Sequence, residues 1–374
     1  MAPSSLDTQV RRIGLAAGLD AIGVAPAAPF ESTRQVLEDR RAAGLNGTMQ
    51  FTYRNPARST DPERTLPGVR SLVVGARSYR RERPTRPTGR GPVASVARYM
   101  WGDDRDVLLR ALGAVADELE AHGHRACVVS DQNHLVDREA AHRAGLGWYG
   151  KSANLLLPGH GSWFLLGSVL TDALLEPAER PVPDGCGTCE RCLDACPTGA
   201  IVAPGVVDAR RCLSWTLQQR GVFPREQRVV LGDRIYGCDD CQEVCPPNRR
   251  ETRVNEPRAT GDPDDAWVPV LELLDADDDA VLDRHGGWWI ADRDPRYLRR
   301  NALLVLGNVG DGDAPAVVAA LRRFLSDADP LLRTHAAWAA RRLGRDDLLD
   351  VVADDPDPDV RAELAAPPPP RRAA

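Results

Sequence analysis

Apolar positions in the first 175 residues follow two alternating rhythms. Leu6–Leu19 and Glu31–Ala43 carry them at helical spacing, with Gly44 placed to cap the second helix. Ser71–Gly75 and Ala126–Val129 are short β-branched runs that predict buried strands. Val107–Ala121 is amphipathic and closed by Gly123, and Ser162–Leu170 predicts a further strand. This region is therefore α/β in character. The stretch Arg80–Pro92 alternates Arg, Pro and Gly and predicts no regular element, only a solvated loop or one that touches a polyanion.

The proline-punctuated linker Pro177–Asp184 leads into a cysteine-rich segment that runs to about Asn248. An acidic connection follows, and then a helical pattern that repeats. Asp294-Pro295, Asp329-Pro330 and Asp357-Pro358 each place a capping carboxylate before a proline suited to the first turn. The repeat length of about 35 residues predicts a short solenoid resembling HEAT-type repeats. The tail PPPPRRAA reads as disordered. Three blocks result: 1–175, 176–255 and 256–374.

The 374 residues, 43% apolar and 27% charged, suit a soluble globular protein. A net charge of −6 speaks against a generally basic nucleic-acid binder and leaves room for a local patch. The N-terminus lacks a signal segment, and the longest apolar run, Trp163–Leu170, is too short to span a bilayer. A cytoplasmic protein without membrane contact is expected, where thiols stay reduced and clustered cysteines mean metal or redox chemistry. One lysine, Lys151, stands against 47 arginines, a bias that points to coding background.

Eight of the nine cysteines lie between Cys186 and Cys245. Cys186-x2-Cys189-x2-Cys192-x3-Cys196-Pro197 matches the bacterial ferredoxin run, whose fourth cysteine serves the other cluster. Cys238-x2-Cys241-x3-Cys245-Pro246 is the same run without its first cysteine, and Cys212 is the nearby replacement. The implied sets are Cys186, Cys189, Cys192 and Cys245 on one 4Fe–4S cluster, with Cys196, Cys212, Cys238 and Cys241 on a second. A zinc ribbon or disulfides fit this spacing less well. Cys127, in an apolar strand, reads as a small core residue.

Beyond the cysteines, Asp137-Arg138 precedes Ala144-Gly-Leu-Gly-Trp-Tyr-Gly-Lys151, followed by Gly161-Ser-Trp-Phe-Leu-Leu-Gly167. Together with Cys212-Leu-Ser-Trp215, Ile235–Pro246 and Asn248, these segments resemble the epoxyqueuosine reductase family over nearly the whole chain. The resemblance implies an α+β architecture: a corrinoid-binding N-terminal domain, a two-cluster ferredoxin-like domain and HEAT-like repeats. It further implies base-off cobalamin, two clusters, an external low-potential electron donor, and a tRNA substrate held at its anticodon region. The chain is expected to be a monomer.

On that resemblance, Asp131 falls at the position of the general acid, and burial against a corrin face would raise the pKa of such a carboxyl. Taken alone, Asp131 is equally a strand-end or capping aspartate. Arg58, Arg138, Lys151 and Gln218 match positions near the cofactor, though an arginine is by default a surface ion-pair partner. Arg296, Arg299, Arg300, Arg322, Arg323, Arg333, Arg341 and Arg342 could align into a phosphate-tracking stripe, or simply keep the repeats soluble.

The family's Tyr-His after Trp-Gly-x-Asp is replaced by Arg105-Asp106, Gln132–His134 replaces a small residue and proline, and Leu217 replaces a threonine. These departures motivate a second reading, a related corrinoid reductase acting on another substrate. A third, a non-enzymatic electron carrier, leaves the 175-residue N-terminal region without a use.

Overall fold

The β-branched runs that begin at Ser71 and Ala126 are joined through a third strand. Ala21–Pro26, Ser71–Ser78, Phe164–Thr171 and Ala126–Val129 form one sheet in that order, and every ladder is antiparallel. The α/β character read from the sequence thus takes an α+β form. Val24, Val73 and Val169 lie in one cross-strand row against Leu108, Leu112, Val115 and Leu119 of the Asp104–Ala121 helix. Leu72, Val74 and Leu170 point to the opposite face, onto Ala140, Ala141, Leu146 and Leu157. Both faces are covered, which explains continuous apolar runs instead of a clean alternation. Gly75 and Gly167 are cross-strand partners, and a Cβ on Gly167 would meet Leu112 Cδ1 at 2.6 Å. The glycine pair makes room for that leucine. Cys127 packs partly buried against this core.

This computed structural model describes residues 5–89, 91–249 and 260–371. The chain divides into two compact units that interleave in sequence: Met1–Glu82, Trp101–Arg210 and Asp240–Ala259 in the first, Arg83–Met100, Arg211–Asp239 and Thr260–Ala374 in the second. The division cuts across the three consecutive blocks, and the block boundary at 255 lies outside the described residues.

In the second unit, Arg234–Tyr236, Val93–Val96 and Trp267–Pro269 form a small mixed sheet. The repeat helices are Arg296–Val309, Pro315–Leu325, Pro330–Arg342 and Pro358–Ala365. The Asp-Pro signals act as capping chemistry requires. Asp329 Oδ1 accepts from the Leu331 N–H at 2.9 Å, and Asp357 Oδ1 from the Asp359 N–H at 2.9 Å. No helix among the described residues is long and apolar enough to cross a membrane.

The arginine stripe expected on the repeats is corrected. Arg333 makes a bidentate pair with Asp355, Arg299 pairs with Asp278, and Arg296 with Asp294. Arg323 pairs with Asp275, while Arg341 and Arg342 donate to carbonyls of Glu363 and Pro370. Several of these groups tie neighbouring repeat elements together; Arg322 alone of the eight is exposed with no side-chain hydrogen bond among the described residues. The tail reading is corrected as well, because the Pro367 and Pro370 carbonyls are held by Arg225 and Arg342. Residues 372–374 lie outside the described residues. Two arginines of the Arg80–Pro92 loop are likewise engaged internally, Arg81 with Asp104 and Arg86 with Asp233.

Candidate functional site

The first unit gathers four of the predicted cluster ligands. Burial pushes the Cys245 thiol up to about 11, and the charges of Cys186, Cys192 and Cys189 add to it. Burial also raises Cys192, again with Cys186 and Cys189 contributing. Four sulfurs that feel one another in this way share one corner. The raised pKa of Cys245 means that its thiol holds its proton until a cation displaces it, and bound iron inverts that preference.

Donors to sulfur are already in place on the other ligands of this unit. Cys196 Sγ accepts the Ala200 N–H at 3.1 Å, and Asn154 Nδ2 lies 3.9 Å from Cys241 Sγ. Such bonds suit thiolate ligands and set cluster potentials. Among the described residues no group of three or more His, Cys, Asp or Glu is arranged for a single metal ion. Cluster ligation therefore rests on spacing, shared charge and N–H···S donors, and on these the residues fit the clusters.

A buried polar network fixes the Cys241–Cys245 turn. Asn248, 3% exposed, accepts the Ser162 N–H at 2.6 Å and donates to Ser162 Oγ and the Gln242 carbonyl. Gln242 Nε2 donates to Tyr79 Oη and to Ser162. Lys151 lies 3.5 Å from Glu190, between Cys189 and Cys192 in sequence, which places the lone lysine at the cysteine loop. Glu190 is well exposed, so the pair itself contributes little stability.

Cys212 and Cys238 belong to the second unit. Arg300, fully buried, donates to the carbonyls of Thr216, Leu217, Gln219 and Gly221 in the segment after Cys212. Asn301 adds bonds to the Leu217 and Ile235 carbonyls, the latter three residues before Cys238. Burial lowers the Arg300 pKa to about 9, with Arg228 adding to the effect. A residue expected on the tRNA-facing surface is an internal clamp. Gln218 sits in the clamped segment, its N–H bonded to the Trp215 carbonyl, apart in sequence and unit from the other candidates.

Asp131 begins the turn that leaves the Ala126–Val129 strand. It is exposed and has a left-handed backbone, φ 51°, a conformation that L-residues hold only at a cost. The turn rests on the segment that carries Arg58: the Thr52 N–H donates to Asn133 Oδ1 at 2.6 Å, and Ser59 Oγ to the Asn133 carbonyl at 3.1 Å. Arg58 itself is exposed on the Pro56–Ser59 turn and has no hydrogen bond from its side chain among the described residues. The structure thus brings Arg58's turn and the Asp131 loop together. Arg138 is exposed beside them. Arg105 and Asp106 are also exposed, on the first turn of the Asp104–Ala121 helix, and the buried carboxylate there is Asp104, clasped by Arg77 and Arg81.

Asp131 is exposed, and the carboxyl that burial perturbs is that of Asp137, whose pKa is raised to about 8, first by burial and then by the charge of Asp131. The Asp131 N–H donates to Asp137 Oδ2 at 3.2 Å, whereas Asp137 Oδ1 is buried without a hydrogen-bond partner. In sequence, Asp137 is the first half of an Asp-Arg pair; its relation to Asp131 appears only once the turn is closed.

Residues 185–248 match the 4Fe-4S double cluster binding domain family, and residues 288–366 match HEAT repeats. The chain is 33% identical to the epoxyqueuosine reductase of Bacillus cereus over 346 residues, covering 90% of this chain and 88% of the relative. It is 35% identical to that of Xanthomonas campestris over 362 residues, covering 91% and 97%. Among solved structures, an epoxyqueuosine reductase with a tRNA-Tyr epoxyqueuosine-modified stem loop matches with TM-score 0.87 and 31% identity, over 96% of each chain. The Bacillus subtilis enzyme, described with its catalytic aspartate loop swung out of the active site, matches with TM-score 0.85 and 30% identity over 96% and 97%. The chain belongs to the epoxyqueuosine reductase family.

Proposed function

We propose that this chain reduces the epoxide of epoxyqueuosine in tRNA to the alkene of queuosine. The observation that carries the reading is the likeness, over 96% of both chains, to a relative bound to an epoxyqueuosine-modified stem loop. The balance is one epoxide, two electrons and two protons giving one alkene and one water. Asp131 delivers a proton to the departing oxygen; its exposed carboxyl, on a turn tied to the Arg58 segment, suits a group that meets substrate.

One 4Fe–4S cluster is assigned to Cys186, Cys189, Cys192 and Cys245. The other is assigned, on spacing alone, to Cys196, Cys212, Cys238 and Cys241. Cobalamin, base-off as the resemblance implies, would supply low-potential one-electron chemistry when bound. Arg58, whose side chain makes no hydrogen bond among the described residues, Arg138 and the exposed Gln132–Asn133 edge offer donors and acceptors suited to its amide side chains. Lys151 and Gln218 complete the cofactor contacts in this reading. An external low-potential donor feeds a monomer in the cytoplasm.

Nucleoside analysis of tRNA tests the substrate. A deletion strain is expected to accumulate epoxyqueuosine, and the wild-type gene to restore queuosine. Unchanged nucleosides, together with base-off cob(II)alamin spectra from the reconstituted protein, would instead favour a corrinoid reductase with another substrate.

A further inference from the structure

The turn that carries Asp131 is tied down unevenly. Ser130 Oγ donates to the Leu166 carbonyl at 2.9 Å, Asn133 is held by Thr52 and Ser59, and Thr65 Oγ1 donates to the His134 carbonyl at 3.3 Å. At Asp131 the single tie among the described residues is the N–H bond to Asp137 Oδ2. That residue is also the strained one, with φ 51°. A left-handed non-glycine backbone persists where its surroundings over-determine it. Here, one carboxyl oxygen does so.

We infer that Asp137 is a positioning residue: by accepting the Asp131 N–H, it holds the acid's backbone in its left-handed conformation and aims the carboxyl outward. The claim about chemistry rests on Asp131 being the acid, as proposed above; the claim about the backbone does not. Three features support it. The bond joins the two ends of the seven-residue turn Asp131–Asp137, from just past the strand end to the first residue of the Asp137–Arg143 helix. That helix is anchored to the sheet through Ala140 and Ala141, which are fully buried, so Asp137 is a fixed point. Finally, Asp137 Oδ1 is buried without a hydrogen-bond partner, so apart from its own N–H the Asp131 N–H is the donor that this carboxyl meets among the described residues.

A purely structural aspartate and a latch predict different things. Asp137→Leu keeps the side-chain outline and deletes the acceptor, whereas Asp137→Asn keeps an acceptor oxygen. Hydrogen exchange of a peptide spanning Asp131, read on the full chain with its clusters, is expected to speed up roughly tenfold in Asp137→Leu and to stay near wild type in Asp137→Asn. Single-turnover rates on epoxyqueuosine stem loops are expected to fall about 10- to 100-fold in Asp137→Leu, with KM little changed. In an Asp131→Asn background the same Leu substitution is expected to change turnover by less than about twofold, because there is no acid left to aim.

Equal exchange at Asp131 in wild type and Asp137→Leu overturns the latch, as does a loss in Asp137→Asn as large as in Asp137→Leu. If Asp137→Leu fails to fold, Asp137→Ala takes its place against the Asn variant. Altered exchange with unaltered turnover keeps the latch and removes Asp131 as the acid.

Discussion

The Asn248 network and the Asp131 loop are both polar, both belong to the first unit, and are built in opposite ways. Asn248 satisfies its amide on both ends, and Gln242 reaches three oxygens from one nitrogen. The Asp131 loop leaves its key carboxyl exposed, holds its strained residue by one bond and leaves Asp137 Oδ1 orphaned. A fully satisfied buried network locks one geometry, while a half-satisfied one is the place where a chain gives way. Electron transfer needs fixed ligands. A proton donor that admits a bulky nucleic-acid substrate needs a position that can be left and regained.

The largest expected effect tests the chemical half of that contrast. Asp131→Asn should lower turnover about 10²- to 10⁴-fold, the usual span for loss of a general acid. Iron content and cobalamin binding should remain unchanged, since asparagine keeps the size and shape of the aspartate side chain. Near-normal turnover would remove Asp131 from the chemistry and leave the loop's strain without a purpose.

Two substitutions test the rigid half. Arg300→Met withdraws a buried guanidinium from the carbonyls of Thr216, Leu217, Gln219 and Gly221, and should cost on the order of 3–5 kcal/mol in urea unfolding. Asn248→Ala strands the Ser162 N–H and the Gln242 carbonyl, and should cost about 2–4 kcal/mol. Iron analysis of Asn248→Ala should also show the loss of one cluster's share, because Cys245 sits three residues away on the same turn. A stable, fully loaded Asn248→Ala protein would mean that the iron, not the network, sets that turn.

The rigid half was also the more legible in sequence, for a physical reason. Ligand loops work through spacings of two and three residues, and Asp-Pro caps act within one turn, so local order alone reveals both. The resemblance points to Asp131, yet its exposure and backbone strain are not legible in the sequence. Arg300 looked the same as the surface arginines around it. Its role depends on carbonyls some 80 residues away, and no pattern near Arg299–Arg300 encodes them. The edge strand Ala21–Pro26 was missed because it is short and contains Gly23 and Pro26. The chemistry of Asp137 is invisible in the Asp137-Arg138 motif, because what perturbs it is burial.

That burial gives an effect with a definite sign. The Asp137 carboxyl is raised from its ordinary 3.8 to about 8 by desolvation and by the Asp131 charge, against the pull of the Asp131 N–H and of Arg138. Between those two pH values the folded chain keeps a proton that the unfolded chain has released. The native state then binds more protons, so stability falls as pH rises through this window and levels off above it. The slope for one such group is at most about 1.4 kcal/mol per pH unit. Urea unfolding at intervals from pH 5 to pH 9 should show this decline in the wild type and its absence in Asp137→Asn. Parallel profiles would mean that the carboxyl is hydrated in solution. The Asp131 loop would then be looser still than the single bond at its strained residue implies, widening its contrast with the Asn248 network.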